Sequence, residues 1–447
     1  MRVVTVTPYL CMDGLFWMVF GLASIIGLVT LLFGIQHITG KAARLRFLIG
    51  GTGALVALIL LSAADALILF ALTWVVLNLC LYALMNHAPR WRAARASASL
   101  LGRYLAASSL LLAIGFLILN HVDDGSLKDV VQNASLDPPV VVALLCILMA
   151  AGIQMALWPA HKWLMATLNA PTPSMVIIQV PIIGAGVILM VRFAPLYVET
   201  ASVLWALFTV GVFTSTLATL WSLIQNDVRR MLAYAAMAQM AFAAVLCGLG
   251  LFRAAMLHLC AFGLWQMYRL LSANAPRRPA TLSDAPPQFG HVLSGLVGGV
   301  MAAYIFSSLA GYTWWANDTT RFLSILVIIG GTQMAIAVTQ ALTFWGKLPL
   351  AWMVSASAGG VYGFALRLTM RMMPEFYSDY PSPLYLWHML GVIVMLTPWL
   401  LMFFRQTLQS TQLPDWVLRV YVFMWNAGQP PASTITPHRN PYHLKAQ

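Results

Sequence analysis

The sequence predicts an all-α, polytopic membrane bundle of about thirteen transmembrane helices, on three observations. Of its 447 residues, 61% are hydrophobic and only 9% charged, whereas soluble domains carry about a quarter charged residues. Apolar stretches of the ~20 residues that a bilayer-spanning helix requires recur from Gly14 to Arg405, separated by short polar breaks. The Lys and Arg residues fall in those breaks and form no single patch, so the net charge of +12 is a signal of membrane topology and not of nucleic-acid binding.

Taken in order, the first apolar run, Gly14 to Ile35, follows a single early charge, Arg2, and has no small-residue cleavage site. It reads as a first span and not as a removable signal peptide. Further spans are expected near 47–63, 66–85, 100–119, 138–157, 173–193, 201–224, 232–250, 253–272, 290–311, 321–343, 349–368 and 384–404. In the sixth, Pro181 lies near Gly184 and Gly186. A proline there removes one helix hydrogen bond, which predicts a kinked or broken helix at mid-membrane.

An odd number of spans puts the two termini on opposite sides. One side collects Lys41, Arg44 and Arg46, then Arg90, Arg92 and Arg95, then Arg229 and Arg230, Arg277 and Arg278, and Lys347. The positive-inside rule makes that side cytoplasmic, with the N-terminus outside and the C-terminus in the cytoplasm. The other side holds Asp123, Asp124, Asp129, Asp137, Glu199 and Asp318, with Arg367 and Arg371 against the pattern. Residues 1–405 thus form one transmembrane domain, and 406–447 form a cytoplasmic tail with an amphipathic helix, Trp416 to Trp425, and an extended partner-binding end. Trp314, Trp315 and Tyr377 read as interfacial aromatics, and His388 as an interfacial residue.

Chemistry is sparse. The five cysteines show no CxxC pair, so neither a metal site nor a disulfide framework is expected. No Walker loop, nucleophile triad or zinc ligand set is visible. The chain is expected to be no enzyme by itself and to hold no cofactor.

Three segments carry a resemblance. Trp158-Pro-Ala-His-Lys-Trp-Leu-Met-Ala-Thr-Leu-Asn-Ala-Pro-Thr-Pro-Ser-Met resembles the P-x-H-x-W-L…A/G-P-T-P signature of the antiporter-like, proton-pumping subunits of respiratory complex I and Mrp antiporters. Asn226-Asp-Val-Arg-Arg-Met-Leu-Ala-Tyr-Ala-Ala-Met-Ala-Gln-Met-Ala-Phe and Met256-Leu-His-Leu-Cys-Ala-Phe follow in the same order as that family's next two motifs. Within the family, Val191-Arg-Phe-Ala-Pro-Leu, the run ending Cys-Gly-Leu-Gly at Gly250, Trp74 followed by an apolar residue, and Arg419-Val-Tyr-Val-Phe-Met-Trp-Asn-Ala-Gly resemble the DabB-type subunits of bacterial inorganic-carbon accumulation complexes. The resemblance covers residues 12 to 275 well and the remainder weakly. It implies an antiporter-like fold, a bacterial inner-membrane location, and a DabA-like partner of zinc carbonic-anhydrase type, with a second antiporter-like subunit as a further partner. Hydration of carbon dioxide would belong to the DabA-like chain, and coupling to an ion gradient to the membrane subunit.

The sequence departs from the family where ionisable groups are expected. The resemblance puts the family's mid-membrane lysine at Gln154, its next-helix histidine at Gln179, its glutamate after tryptophan at Val75, and its His-His-Lys series at His258, Phe262 and Gln266. Only His258 can titrate, so the inherited proton path is expected to be broken. Gln154 and Gln179 would then either line a hydrated path or join helices by hydrogen bonds. Four other polar residues are candidates. Asp65 is a helix cap or a proton site, and His161 and Lys162 are a proton uptake point, a DabA contact or topological charge. Arg269, like Arg192, sits near a span end from which its side chain can snorkel to the interface or, alternatively, enter a functional ion pair.

Three functions remain open at this point. One is a DabB-like subunit with a non-conducting path that serves as scaffold or docking base. A second is a chain that still conducts protons or sodium ions by a path re-routed through His258, Asp65 or Arg269. The third is a proton- or sodium-conducting subunit of a complex I or Mrp-type assembly.

Overall fold

The computed structural model describes residues 4–7, 9–122, 137–198, 200–273, 289–340, 347–373, 379–403 and 415–434. Asp123, Asp124, Asp129, Glu199, Arg277, Arg278 and Tyr377, which the sequence reading used, lie outside the described residues. A short antiparallel hairpin, β1 (Val4–Thr7) and β2 (Leu10–Met12), precedes the helices. Its strand β2 bridges to Ala64 through Leu10.

The helices run up and down: α1 (Gly14–His37), α2 (Lys41–Ala63), α3 (Leu67–Met85), α4 (Arg92–Val122) and α5 (Pro138–Gln154). A single-turn helix, α6 (Lys162–Ala166), leads into the broken helix, whose halves are α7 (Thr172–Ile177) and α8 (Ile183–Arg192). Next come α9 (Ala201–Ile224), α10 (Val228–Gly248) and α11 (Phe252–Leu271). A second group holds α12 (Phe289–Ala310), α13 (Thr320–Gln340), α14 (Leu348–Met372) and α15 (Leu386–Phe403), and α16 (Asp415–Ala427) ends the described chain. Among the described residues, nine helices are long and apolar enough to cross a membrane. The protein is a multi-pass membrane protein.

Contacts at the helix ends fix the alternation. The hairpin end gathers Asp13, Ser62 and Arg192, with Gly14 packed on the backbone of Met372 and Tyr380 N–H donating to Gly250 O at 2.8 Å. At the opposite end Arg46 donates to His87 O at 3.3 Å and Arg229 to Thr172 Oγ1 at 2.8 Å. The basic residues expected in loops at that end instead open helices, with Lys41 at the start of α2, Arg92 at the start of α4, and Arg229 and Arg230 in the first turn of α10. Cations are disfavoured there by the helix dipole, so their placement follows a requirement other than helix stability.

The core lies between the broken helix, α10 and α11, where nearly every residue of 172–192 is buried. The expected break at Pro181 is a π-helical turn, Ile178–Ile182, because the proline cannot donate the bond that would continue the α-ladder. In the second group small residues let backbones touch: a Cβ on Gly359 would strike the backbone of Ala302, and one on Gly299 the carbonyl of Ile328. Such close approach is the usual means of helix association in lipid.

Candidate functional site

Arg192 ends the broken helix and is fully buried. Its Nη1 donates to Asp13 Oδ2 at 2.8 Å, and its Nη2 donates to the carbonyl of Ser62. Asp13 is itself the cap of α1, its Oδ1 accepting from Phe16 N–H at 3.0 Å. This corrects the expectation that Arg192 snorkels to the interface. A buried counter-charge is supplied by the one acidic residue before the first apolar run, and sequence reasoning passed over Asp13 although a capping Asp at a helix start is a recognisable signal.

Inside the bundle, the positions that the resemblance assigns to the proton path form two amide clusters. In the first, Gln154, the last residue of α5, donates from Nε2 to Asn78 Oδ1 at 3.0 Å. Asn78 on α3 donates to Ser109 Oγ at 2.9 Å. In the second, Gln266 on α11 donates to Gln179 Oε1 at 3.2 Å and to Leu232 O at 3.0 Å, and Gln179 in the π turn donates to Thr167 Oγ1 at 3.1 Å. All three glutamines are 0% exposed. Asn78, which sequence reasoning missed, could have been found as the lone amide of an otherwise apolar helix.

The other assigned positions do not join these clusters. Val75 is 41% exposed on the outer face of α3, whereas Trp74 beside it is fully buried. The ring of His258 packs between Phe242 (4.8 Å) and Phe262 (6.2 Å), and its buried Nε2 has no partner among the described residues. A cavity of about 250 Å³, lined in part by Ser215, Thr216, Thr219 and Gln239, also has Phe242 in its wall.

Asp65 is buried in the α2–α3 turn, where its backbone N–H donates to Tyr9 O at 2.9 Å. The capping position of α3 is Ala66, without a side-chain bond, so Asp65 stands one residue too early for the expected cap. Arg269 lies over the Trp265 ring at 5.2 Å, a cation–π contact near the helix end. His388, in the first turn of α15, is 1% exposed against Phe208 at 5.0 Å. Trp314 and Trp315 are exposed, the latter under Arg321 at 4.8 Å.

At the end opposite the hairpin, His161 is buried against Trp221 at 5.0 Å, and Lys162 beside it is exposed. Burial and then the neighbouring ammonium hold His161 down to about 4. The C-terminal segment closes over this region: Tyr234 donates its hydroxyl to Gly428 O at 2.6 Å, Arg230 to Gln429 Oε1 at 3.1 Å, and Asn169 to Thr434 O at 2.7 Å. Residues 428–434 are therefore pinned to the bundle, while the remainder of the polar end expected to be extended, 435–447, lies outside the described residues. The strap helix α16 buries no residue and exposes Trp416, Val420, Tyr421 and Phe423.

At the hairpin end, the half-buried carboxylate of Asp379 accepts from Arg253 N–H and from the Tyr312 hydroxyl, each at 3.0 Å. Burial pushes it above the usual carboxylate range against the opposing pull of Arg253 and Tyr312.

Comparison with known proteins gives a consistent picture. Residues 64–284 match the family described as NADH:quinone oxidoreductase/Mrp antiporter, transmembrane. A probable inorganic carbon transporter subunit DabB1 of Halothiobacillus neapolitanus is 29% identical over 271 residues, which cover 59% of this chain and 48% of that protein. A probable DabB subunit of Hydrogenovibrio crunogenus is 29% identical over 333 residues, covering 71% and 62%. NADH-quinone oxidoreductase subunit L of Buchnera aphidicola is 25% identical over 273 residues, covering 60% and 44%. The chain spans about half to three-fifths of the length of these relatives. A solved structure of the Mrp complex from Dietzia sp. shares the fold, with a TM-score of 0.59 at 18% identity, covering 89% of this chain and 49% of that one.

Proposed function

We propose that this chain, whose residues 64–284 match the NADH:quinone oxidoreductase/Mrp antiporter family, is a member of that family and the DabB-like membrane subunit of an inorganic-carbon accumulation complex, with a non-conducting proton path. Its role is to dock and anchor a DabA-like zinc subunit, which carries the hydration chemistry. A second antiporter-like subunit supplies ion flow where flow is needed. The protein sits in a bacterial inner membrane, with the hairpin end outside and the strap in the cytoplasm. That orientation puts Lys41, Arg92, Arg229 and Arg230 on the cytoplasmic side.

The observation that carries the reading is the pair of amide clusters. Ionisable groups inside a bilayer are expensive and are kept where they move ions. Here Gln154, Gln179 and Gln266 stand where the resemblance expects titratable groups, and they donate to Asn78, Thr167 and Gln179 respectively. Amides donate and accept but take up no proton near neutral pH. Proteoliposomes holding the purified chain are expected to show no proton flux above lipid alone, and Gln154→Lys to add none. Flux from the native chain, or flux created by that one substitution, would overturn the scaffold role. The partner is tested separately, by affinity purification of the tagged chain from its native membrane: a zinc-containing DabA-like chain is expected, and quinone-reductase or Mrp subunits in its place refute it.

A second reading, a conducting subunit of a complex I or Mrp-type assembly, is favoured by the unpartnered Nε2 of His258 and by the cavity with Ser215, Thr216, Thr219 and Gln239 in its wall that Phe242 also lines. On that reading His258→Ala abolishes ion-coupled activity. On the scaffold reading it leaves that activity unchanged.

A further inference from the structure

We propose that the outer groove between α12 and α14 holds the headgroup of an anionic phospholipid, with its phosphate bound by Arg367 and Arg371. The groove encloses about 380 Å³ and is lined by Leu309 from α12 and by Phe364, Arg367, Leu368 and Arg371 from α14. The inference concerns a face that the scaffold role does not use, and it holds in either orientation of the chain.

Placement is the first argument. Positions 364, 367, 368 and 371 recur at the three- and four-residue spacing of a single helix face, and all four side chains are exposed. On the inner side of the same helix, Gly359 and Gly363 pack on the backbone of Ala302 and Phe306, so α12 and α14 cross closely and leave the groove on their outer side. The 25 residues of α14 extend ~38 Å, enough to cross a hydrocarbon core of ~30 Å. Its last residue, Met372, meets Gly14 at the hairpin end. Arg371 therefore lies at the membrane boundary, and Arg367 one turn, ~6 Å, deeper.

Charge is the second argument. Neither guanidinium has a hydrogen-bond or ion-pair partner among the described residues, and the lining includes no carboxylate. Other arginines at this end differ: Arg192 is bound to Asp13, and Arg321 donates to Ala316 O at 2.7 Å and lies over Trp315. The helix dipole favours a cation in the last turn and so accounts for Arg371, but its effect has faded at Arg367. Both side chains also run against the charge asymmetry of the chain, and a bound anion gives them a reason to stand there. Two guanidiniums a turn apart suit the oxygens of one phosphate diester.

The order of the lining is the third argument. Arginines stand nearer the membrane surface, and Phe364 lies a turn further in, with Leu309 and Leu368 beside them. A phospholipid supplies an anion and then an apolar chain in that order, and phospholipid surrounds the outer face of a spanning helix. Dissolved phosphate offers only the first half of the match.

The test uses the full-length chain, purified in detergent, depleted of lipid, and given dioleoylphosphatidylglycerol, dioleoylphosphatidylcholine or inorganic phosphate. Native mass spectrometry counts the bound lipid, and the unfolding temperature reports its effect. Phosphatidylglycerol is expected to add saturably and to raise the unfolding temperature, phosphatidylcholine with the same chains to bind about tenfold more weakly, and inorganic phosphate to do nothing. The double substitution Arg367→Gln with Arg371→Gln is expected to remove one tightly held phosphatidylglycerol per chain by weakening it about tenfold or more, the loss of its charge-assisted contacts. Arg367→Lys with Arg371→Lys keeps the charge and is expected to keep the preference for phosphatidylglycerol. Equal binding of the two lipids, which is the result if an acidic segment of a partner protein is the true occupant, overturns the proposal. So does a response to inorganic phosphate equal to that of the lipid, or a lipid count indifferent to the paired Gln substitutions.

Discussion

Gln266 donates from its Nε2 to the Oε1 of Gln179 at 3.2 Å, and the same nitrogen reaches Leu232 O at 3.0 Å. One side chain on α11 thereby ties together the π turn of the broken helix and the wall of α10. A lysine at position 266 would have needed a counter-charge or water. The amide instead finds neutral partners and makes the centre of the bundle a packed joint. An amide bond of the same kind recurs at Gln154, whose Nε2 donates to Asn78 Oδ1 at 3.0 Å, so both glutamines are spent on bonds between helices.

Gln266→Leu leaves Gln179 Oε1 and the Leu232 carbonyl without their donor. The expected cost is ~1–3 kcal/mol, read as a lower unfolding temperature in detergent with the chain still inserted. An unchanged unfolding temperature would mean that the joint contributes nothing.

The Asp13–Arg192 pair is fully buried, and removing one partner strands the other charge. Asp13→Asn and Arg192→Met are each expected to destabilise by ~3–5 kcal/mol. The double substitution Asp13→Leu with Arg192→Met should cost less than the two single changes together, since no unpaired charge remains. A strictly additive cycle would contradict the pairing.

Two groups outside the helical spans give pH dependences of opposite sign. Burial raises Asp379 in the folded state, so its contribution is fully present below its unfolded value of about 4 and is lost as pH rises through the raised folded value. His161 is lowered to about 4, so its contribution is present above its unfolded value of about 6.5 and is lost as pH falls towards 4. In unfolding scans Asp379→Asn should remove the loss on the rising side, and His161→Gln the loss on the falling side. Variants that leave both slopes as in the native chain would show that neither group controls them.

Gly359 faces the backbone of Ala302 across the α12–α14 contact, so close that an added Cβ collides with main chain and not with a side chain that can move. Gly359→Val is expected to cost ~1–3 kcal/mol by overpacking. Gly330, whose Cβ would meet nothing within 4 Å, is the control, and Gly330→Ala should be silent in the same unfolding assay.

Much of the fold was legible because a bilayer reduces the problem to apolar length and charge placement. The run Gly14 to Ile35 became α1 at Gly14–His37, and Pro181 marked the helix break correctly because a missing N–H has the same consequence in any surrounding. Helix starts were less legible at Lys41 and Arg92, where helices extend past their apolar segments into residues that hydropathy assigns to loops. The amide positions Gln154, Gln179 and Gln266 could be singled out from motifs, but not their partners. Asn78 and Thr167 lie 76 and 12 residues away from the glutamines they accept from, and no local pattern encodes a pairing across helices.

The sequence by itself determined that this is a many-helix membrane protein with a broken core helix and few titratable groups within its spans, because composition and a proline act locally. Only the tertiary structure decided that Arg192 is paired inward to Asp13, that the glutamines close on neutral neighbours, and that residues 428–434 fold back over His161. Those outcomes depend on which helix faces meet, and a buried charge or amide takes whatever partner the packing brings within hydrogen-bond reach.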